Sequence, residues 1–198
     1  MLIDFIRHGE PQGGSRYRGH SIDDPLSEKG WAQMRAAVEG NCPWTHVISS
    51  PLIRCRAFAE ALAAEQGLRC SIDPAFKEIG FGEWEGKNKQ ELRAERGEEF
   101  ANFYLDPVRY TPTGAEPVTR FLARISAGMA MLQQNFPDDH LLVVAHAGVI
   151  RAAIVTAIGA DAASMYRIQV RNAGITRIEY SNTQSFLVFH DGHSDDHG

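Results

Sequence analysis

Two near-continuous apolar runs, each ending in a histidine and small residues, dominate the hydrophobic pattern. Leu2–Arg7 predicts a buried strand that leads directly into His8-Gly9-Glu10, and His140–Ala145 predicts a second that leads into His146-Ala147-Gly148. Helical spacing follows a Ser27 N-cap to about Val38, with Trp31, Met34, Ala37 and Val38 as the apolar stripe. Thr45–Ser49 and Leu68–Ile72 read as short strands. Between them Ser50-Pro51 reads as N-cap and first residue of a helix that Gly67 ends. A long helix is predicted from near Glu116 to Gln134, stopped by Pro137, and another over Gly148–Ile158. Thr176–Glu179 and Phe186–His190 read as late strands joined in a hairpin around Ser181-Asn182-Thr183.

Strand and helix in alternation predict an α/β protein, a three-layer α/β/α sandwich on a mostly parallel central sheet. Two stretches break the rhythm. Residues 9–26 form a Gly-, Pro- and Asp-rich loop too long for a mere connection. Residues 73–117, with short helical pieces around Lys89–Arg96 and Glu98–Leu105, read as an insertion covering the mouth of the sheet. The expectation is one domain over residues 1–190 and a disordered polar tail over 191–198.

Composition narrows the partners. The chain has 198 residues and a formal net charge of −5, which argues against broad nucleic-acid binding and requires any anion site to be a local cluster of arginines. No run approaches the roughly 20 apolar residues of a membrane span. Met1-Leu2-Ile3-Asp4 enters structure without a targeting pattern, so the expected location is cytoplasmic. Cys42, Cys55 and Cys70 lack CxxC spacing and read as reduced thiols, and no His/acid spacing calls for a metal; no cofactor is predicted.

In an α/β protein a histidine at the carboxyl end of a strand stands where ligands bind. Two such imidazoles, with Arg7 beside one, suit a phosphoryl group: one nitrogen attacks and the other donates a hydrogen bond. Each short string alone is weak. Four in order carry more: Arg7-His8-Gly9-Glu10, Ser49-Ser50-Pro51-Leu52-Ile53-Arg54, the stretch EIGFGEWEG from Glu78 to Gly86, and His146-Ala147-Gly148. With Tyr17-Arg18-Gly19, Asp24-Pro25-Leu26-Ser27 and Lys29-Gly30, the chain from Leu2 to Tyr180 resembles the histidine phosphatase superfamily, with its phosphoglycerate-mutase-like fold.

The resemblance implies roles. His8 would be the nucleophile that becomes phosphorylated, Arg7 and Arg54 the phosphate clamp, and His146 a hydrogen-bond donor to a phosphate oxygen. Glu78 would be the general acid, with Glu83 and then Glu85 as rivals. Gly9, Arg18, Gly19, Ala147 and Gly148 would bind substrate: Gly9 by allowing a tight turn, Gly19 by bringing backbone near the phosphate, Ala147 and Gly148 through backbone N–H donors, and Arg18 from an outer rim. Arg16, Tyr17, Arg18, Lys87 and Lys89 read equally well as an outer substrate rim or as ordinary surface charge. The implied partner is a small phosphomonoester, bound by a monomer or homodimer and hydrolysed without metal.

Mutases of this superfamily carry Trp-Asn where this sequence has Gly13-Gly14, and Gly-Gly-Glu-Ser where it has Gly114-Ala115-Glu116-Pro117. Those departures, with the short 86–114 segment, favour a hydrolase. The early loop and compact length are similar to the α-ribazole phosphatases, which implies α-ribazole 5′-phosphate as a substrate. Broad-specificity phosphatase, phosphoglycerate mutase and a non-catalytic phospho-ligand sensor are the alternatives.

Overall fold

The computed structural model describes residues 1–40, 42–181 and 183–192. Six strands, β1 (Leu2–Arg7), β2 (His46–Ser49), β3 (Arg69–Ile72), β4 (His140–Ala145), β5 (Ile175–Tyr180) and β6 (Ser185–Gly192), form one sheet in the order β3-β2-β4-β1-β5-β6. The β3-β2-β4-β1 part is parallel, and β5 pairs antiparallel with both β1 and β6, so the mostly parallel sandwich is found. The helices are α1 (Glu28–Val38), α2 (Ile53–Gln66), α3 (Lys89–Glu95), α4 (Gly97–Leu105), α5 (Val118–Asn135) and α6 (Ala147–Ala157).

Strand alternation divides the apolar residues between two cores. On β4, Leu141, Val143 and Ala145 face α5, α6 and the 73–117 segment, whereas Leu142 and Val144 face α1 and α2. The first core takes Phe121, Ile125 and Met129 from α5 and Val149, Ile150 and Ala153 from α6. It also takes Phe76, Phe81, Trp84, Leu92, Phe100 and Phe103, which fasten the 73–117 segment to the sheet. Trp84 is packing: it is fully buried, stacks on Phe100 and donates its indole N–H to Glu99 at 2.6 Å.

Two expectations need correction. The helix after β2 begins at Ile53, not at Pro51, with Leu52 in extended geometry before it. The Ser50 hydroxyl does not cap this helix, because it is engaged with His146, and Asp23 accepts the Ile53 N–H at 2.7 Å instead. At the other end of the chain, β6 runs to Gly192, past the expected boundary at 190, and Asp191 accepts hydrogen bonds from the Arg171 side chain. The remainder of the expected tail, 193–198, lies outside the described residues.

A polar anchor ties the sheet together near the amino end of β1. Asp4 is fully buried and accepts from Arg177 Nε at 2.7 Å, Arg177 Nη2 and His140 Nε2 at 2.9 Å, and Trp44 Nε1 at 2.8 Å. Burial pushes its carboxyl upward, but the donors from Arg177, His140 and Trp44 outweigh it and hold the pKa below the ordinary 3.8. The stability gained is therefore complete above the unfolded value and disappears as pH falls through the lower folded one. Asp4→Ala leaves Arg177 unpaired and is expected to lower the unfolding free energy by about 3–5 kcal/mol at neutral pH. Urea denaturation measures this, and a variant as stable as the parent contradicts it.

Candidate active site

The β1–β4 register places the two histidines side by side. Its last pair is Arg7 opposite Ala145, and the His8 N–H donates to the Ala145 carbonyl at 2.9 Å. The imidazoles of His8 and His146 meet edge to face, with centroids 5.2 Å apart. His8 Nδ1 lies 2.8 Å from the Gly9 carbonyl oxygen. A carbonyl only accepts, so Nδ1 carries the proton and Nε2 keeps its lone pair. Gly9 is needed for close approach, because a Cβ there would lie 2.2 Å from the Gly30 carbonyl oxygen in α1. It sits behind His8 and off the cavity wall, so its part is to place the imidazole and fix its tautomer.

Both imidazoles are held neutral. For His8, burial and then the charges of Arg7 and Arg54 press the pKa well below the usual 6.5. For His146, burial and then Arg54, His8 and Arg7 act in the same direction. His146 is fully buried behind His8, and its Nε2 lies 2.7 Å from Ser50 Oγ. It does not itself line the cavity, and Ser50 braces its ring beside His8. Cys55 Sγ lies 3.6 Å from the same ring nitrogen; burial pushes its thiol far up, so it stays protonated.

His8 opens on a cavity of about 660 Å³ at the carboxyl ends of the strands, and Arg7 and Arg54 both line it. Arg54 is 1% exposed, not on an exposed helical turn as its position implied; its amino groups donate to the carbonyls of Gly19 at 2.8 Å and Ile22 at 3.0 Å. Arg7 donates to the Val170 carbonyl at 2.7 Å, and burial lowers its pKa to about 10, leaving it cationic at neutral pH. The Nε of each of these two arginines is buried without a hydrogen-bond partner among the described residues. Two desolvated guanidinium donors beside an unprotonated imidazole make a receptor for a tetrahedral oxyanion.

The structure separates the candidate acids. Glu78 lines the cavity, half-buried, with Oε1 accepting the Ile79 N–H at 3.0 Å and Oε2 accepting the Gly148 N–H at 3.3 Å. Glu83 is exposed and pairs with Arg96 at 2.7 Å, while Glu85 turns to the Phe81 N–H and Ser21. Only Glu78 of the three reaches the cavity wall. Ala147 and Gly148 line it too, at the start of α6, although Glu78 already takes the Gly148 N–H.

The rim differs from the sequence expectation. Arg18 lines the cavity, but its guanidinium is engaged by Asp24 at 2.7 Å and by the carbonyls of Gln12, Gly14 and Arg16. It staples the 9–26 loop. Arg16 shares Asp24 at 2.7 Å, and Lys87 pairs with Glu95. Gly19 and Tyr17 line the cavity, as do Lys89, Tyr104, Arg151 and Tyr166. The last three carried no motif signal; Arg151 lies one helical turn after Ala147, which puts both on one face of α6. Among the described residues no cluster of His, Cys, Asp and Glu could hold a metal, and no helix is long and apolar enough to cross a membrane.

The sequence profile of the Histidine phosphatase superfamily (branch 1) matches residues 3–191. The chain belongs to the histidine phosphatase superfamily. It is therefore an enzyme of phosphomonoester chemistry. This histidine phosphatase is 29% identical to the adenosylcobalamin/alpha-ribazole phosphatase of Salmonella typhimurium, over 86% of each chain. It is 30% identical to a probable phosphoglycerate mutase of Escherichia fergusonii, over 93% of its own length and 87% of the relative's. The crystal structure of the alpha-ribazole phosphatase from Shigella flexneri superimposes with a TM-score of 0.84 at 26% identity, covering 97% of this chain and 96% of the other.

Two outcomes follow from the site's geometry. A Cβ at Gly148 would lie 2.2 Å from Glu78 Oε1, so Gly148→Ala forces that carboxylate aside. A roughly 100-fold fall in kcat, with the fold retained by circular dichroism, is expected. Activity at the parental level rejects the placement of Glu78. The buried histidines also make the fold acid-sensitive. Their folded pKa values lie below the unfolded 6.5, so the unfolded chain takes up protons first and stability drops as pH falls below that value. Thermal midpoints measured from pH 7.5 to 5 should decline, and less steeply in His146→Gln.

Proposed function

We propose that this histidine phosphatase hydrolyses small-molecule phosphomonoesters through a phosphohistidine at His8, without a metal, and that α-ribazole 5′-phosphate is among its substrates. The observation that carries the reading is the tautomer of His8: Nδ1–H on the Gly9 carbonyl leaves Nε2 as a neutral nucleophile beside two guanidinium groups with unpartnered donors. Nε2 attacks phosphorus, the phosphorus–oxygen ester bond breaks, and Glu78 passes its proton to the departing alcohol. Glu78, now a carboxylate, takes a proton from the water that attacks the phosphohistidine, which releases phosphate and restores His8. Arg7 and Arg54 bind the oxygens on which charge collects in each transition state, so the protein supplies by guanidinium what a metal supplies elsewhere. His146 fills the space behind His8 and, held by Ser50, fixes the nucleophile's direction.

Hydrolysis rather than transfer to a second hydroxyl fits the early loop, which has Gly13-Gly14 in place of the mutases' Trp-Asn. A chamber with Tyr17, Tyr104 and Tyr166 in its wall has room for a nucleoside-sized alcohol. The α-ribazole phosphatases from Salmonella and Shigella support that substrate.

The purified protein should turn over p-nitrophenyl phosphate in the presence of EDTA, and His8→Ala should lose at least about a thousandfold in kcat. Tight vanadate binding with no turnover of any phosphomonoester contradicts the enzymatic reading and leaves a sensor. Glu78→Gln should slow alkyl phosphates by about 100-fold more than p-nitrophenyl phosphate, since a basic leaving group needs the proton most. If Glu83→Gln alone shows this selectivity, the proton comes from Glu83.

A further inference from the structure

Two cations in the outer chamber have no acid beside them. The cavity wall carries Arg7, Arg16, Arg18, Arg54, Lys89 and Arg151, in a chain whose net charge is −5. Arg16 and Arg18 share Asp24, and Arg7 and Arg54 line the wall with His8, where the phosphatase reading puts the reacting phosphate. Of the two acids in the wall, Glu10 is paired with Lys29, at 2.8 Å, and Glu78 accepts backbone N–H groups beside His8. Arg151 and Lys89 remain, and among the described residues neither has a carboxylate within ion-pair distance.

Arg151 is held ready to bind. Its Nε donates to the Ile168 carbonyl at 2.8 Å, and its guanidinium carbon lies 5.4 Å from the centroid of the Tyr166 ring. The two contacts fix the plane of the group, and among the described residues no hydrogen bond engages its terminal amino groups. Lys89 Nζ lies 5.8 Å from the Tyr104 ring centroid, across the same chamber wall. The Tyr166 hydroxyl is buried and has no hydrogen-bond partner among the described residues. Burial raises that phenol's pKa, so at neutral pH it can only be satisfied as a protonated group. An oriented guanidinium fork, an ammonium and an orphan phenol together match the oxygens of a carboxylate or a phosphate.

We propose that Arg151, Lys89 and the Tyr166 hydroxyl form a second oxyanion subsite, so that the preferred esters carry an acidic group on the leaving alcohol. The inference rests on the phosphatase reading and deepens it. α-Ribazole 5′-phosphate bears only the reacting phosphate and ranks below acid-bearing esters of similar size.

Paired substrates test the proposal. 3-Phosphoglycerate and glycerol 3-phosphate differ by a carboxylate in place of a hydroxymethyl group; propane-1,3-diol bisphosphate and its monophosphate differ by the second phosphate. The parent protein should favour the acid-bearing member of at least one pair by about tenfold or more in kcat/KM, chiefly through KM, and the pair that shows it identifies the oxyanion. The preference ratio should fall to near unity in Arg151→Gln. Lys89→Met and Tyr166→Phe, which leave the tether to Ile168 in place, should each lower it by about threefold or more. Equal use of both members of both pairs by the parent overturns the subsite, as does a preference that survives all three substitutions. If p-nitrophenyl phosphate is hydrolysed while those ratios stay flat, the phosphatase reading stands and this one falls; no hydrolysis of any ester removes both.

Discussion

Two guanidinium groups kept out of water shape the molecule around its pocket. Transferring a cation from water into a protein interior costs several kcal/mol unless new partners replace the lost hydration. Arg54 finds those partners in the carbonyls of Gly19 and Ile22, and Arg7 finds one in Val170. The 9–26 loop and the 162–170 stretch therefore fold inward, with their backbone oxygens turned to the cations. Each arginine still has one buried nitrogen without a partner, so the compensation is incomplete until an anion arrives. Burial, and then the same two charges, keep His8 neutral. An anion bound between them would weaken that field and raise the basicity of the imidazole.

The sheet supplies the rigidity this arrangement demands. Parallel pairing of β1 with β4 fixes which residues leave the strands together, and α5 and α6 seal one face while α1 and α2 seal the other. Asp4 and its four donors tie β1 to β4, β5 and the segment before β2, away from the pocket. Stability and chemistry thus draw on opposite ends of the same strand.

Much of this was legible in the residues. The apolar runs ending in His8 and His146, the Ser27 and Gly67 helix boundaries, and the 73–117 interruption all appear in the pattern because local chemistry decides them. Other features depended on distant partners. Ser50-Pro51 has the form of a helix start, yet its hydroxyl serves His146 across the sheet, and Asp23 from the early loop takes over as cap. Arg18 lies in a motif-like string but is consumed by its own loop. Glu78 and Glu83 are nearly equivalent in sequence, and only the turn at 82–84 sends one to the pocket and the other to Arg96. Arg151 and Tyr166 carried no motif signal because they acquire meaning only when α6 and the following stretch close on the chamber.

Cys55 sits 3.6 Å from the ring of His146 and is fully shielded from solvent, with a thiol that burial keeps protonated. Peroxide attacks thiolates, and phosphatases that use a thiolate nucleophile are silenced by it. On the proposed mechanism the attacking atom is a nitrogen, and the nearby sulfur is both sealed and un-ionised, so a burst of oxidant finds no sulfur handle on the nucleophile. On that mechanism, dephosphorylation does not pass through a thiolate of the kind that redox stress switches off in cysteine-based phosphatases.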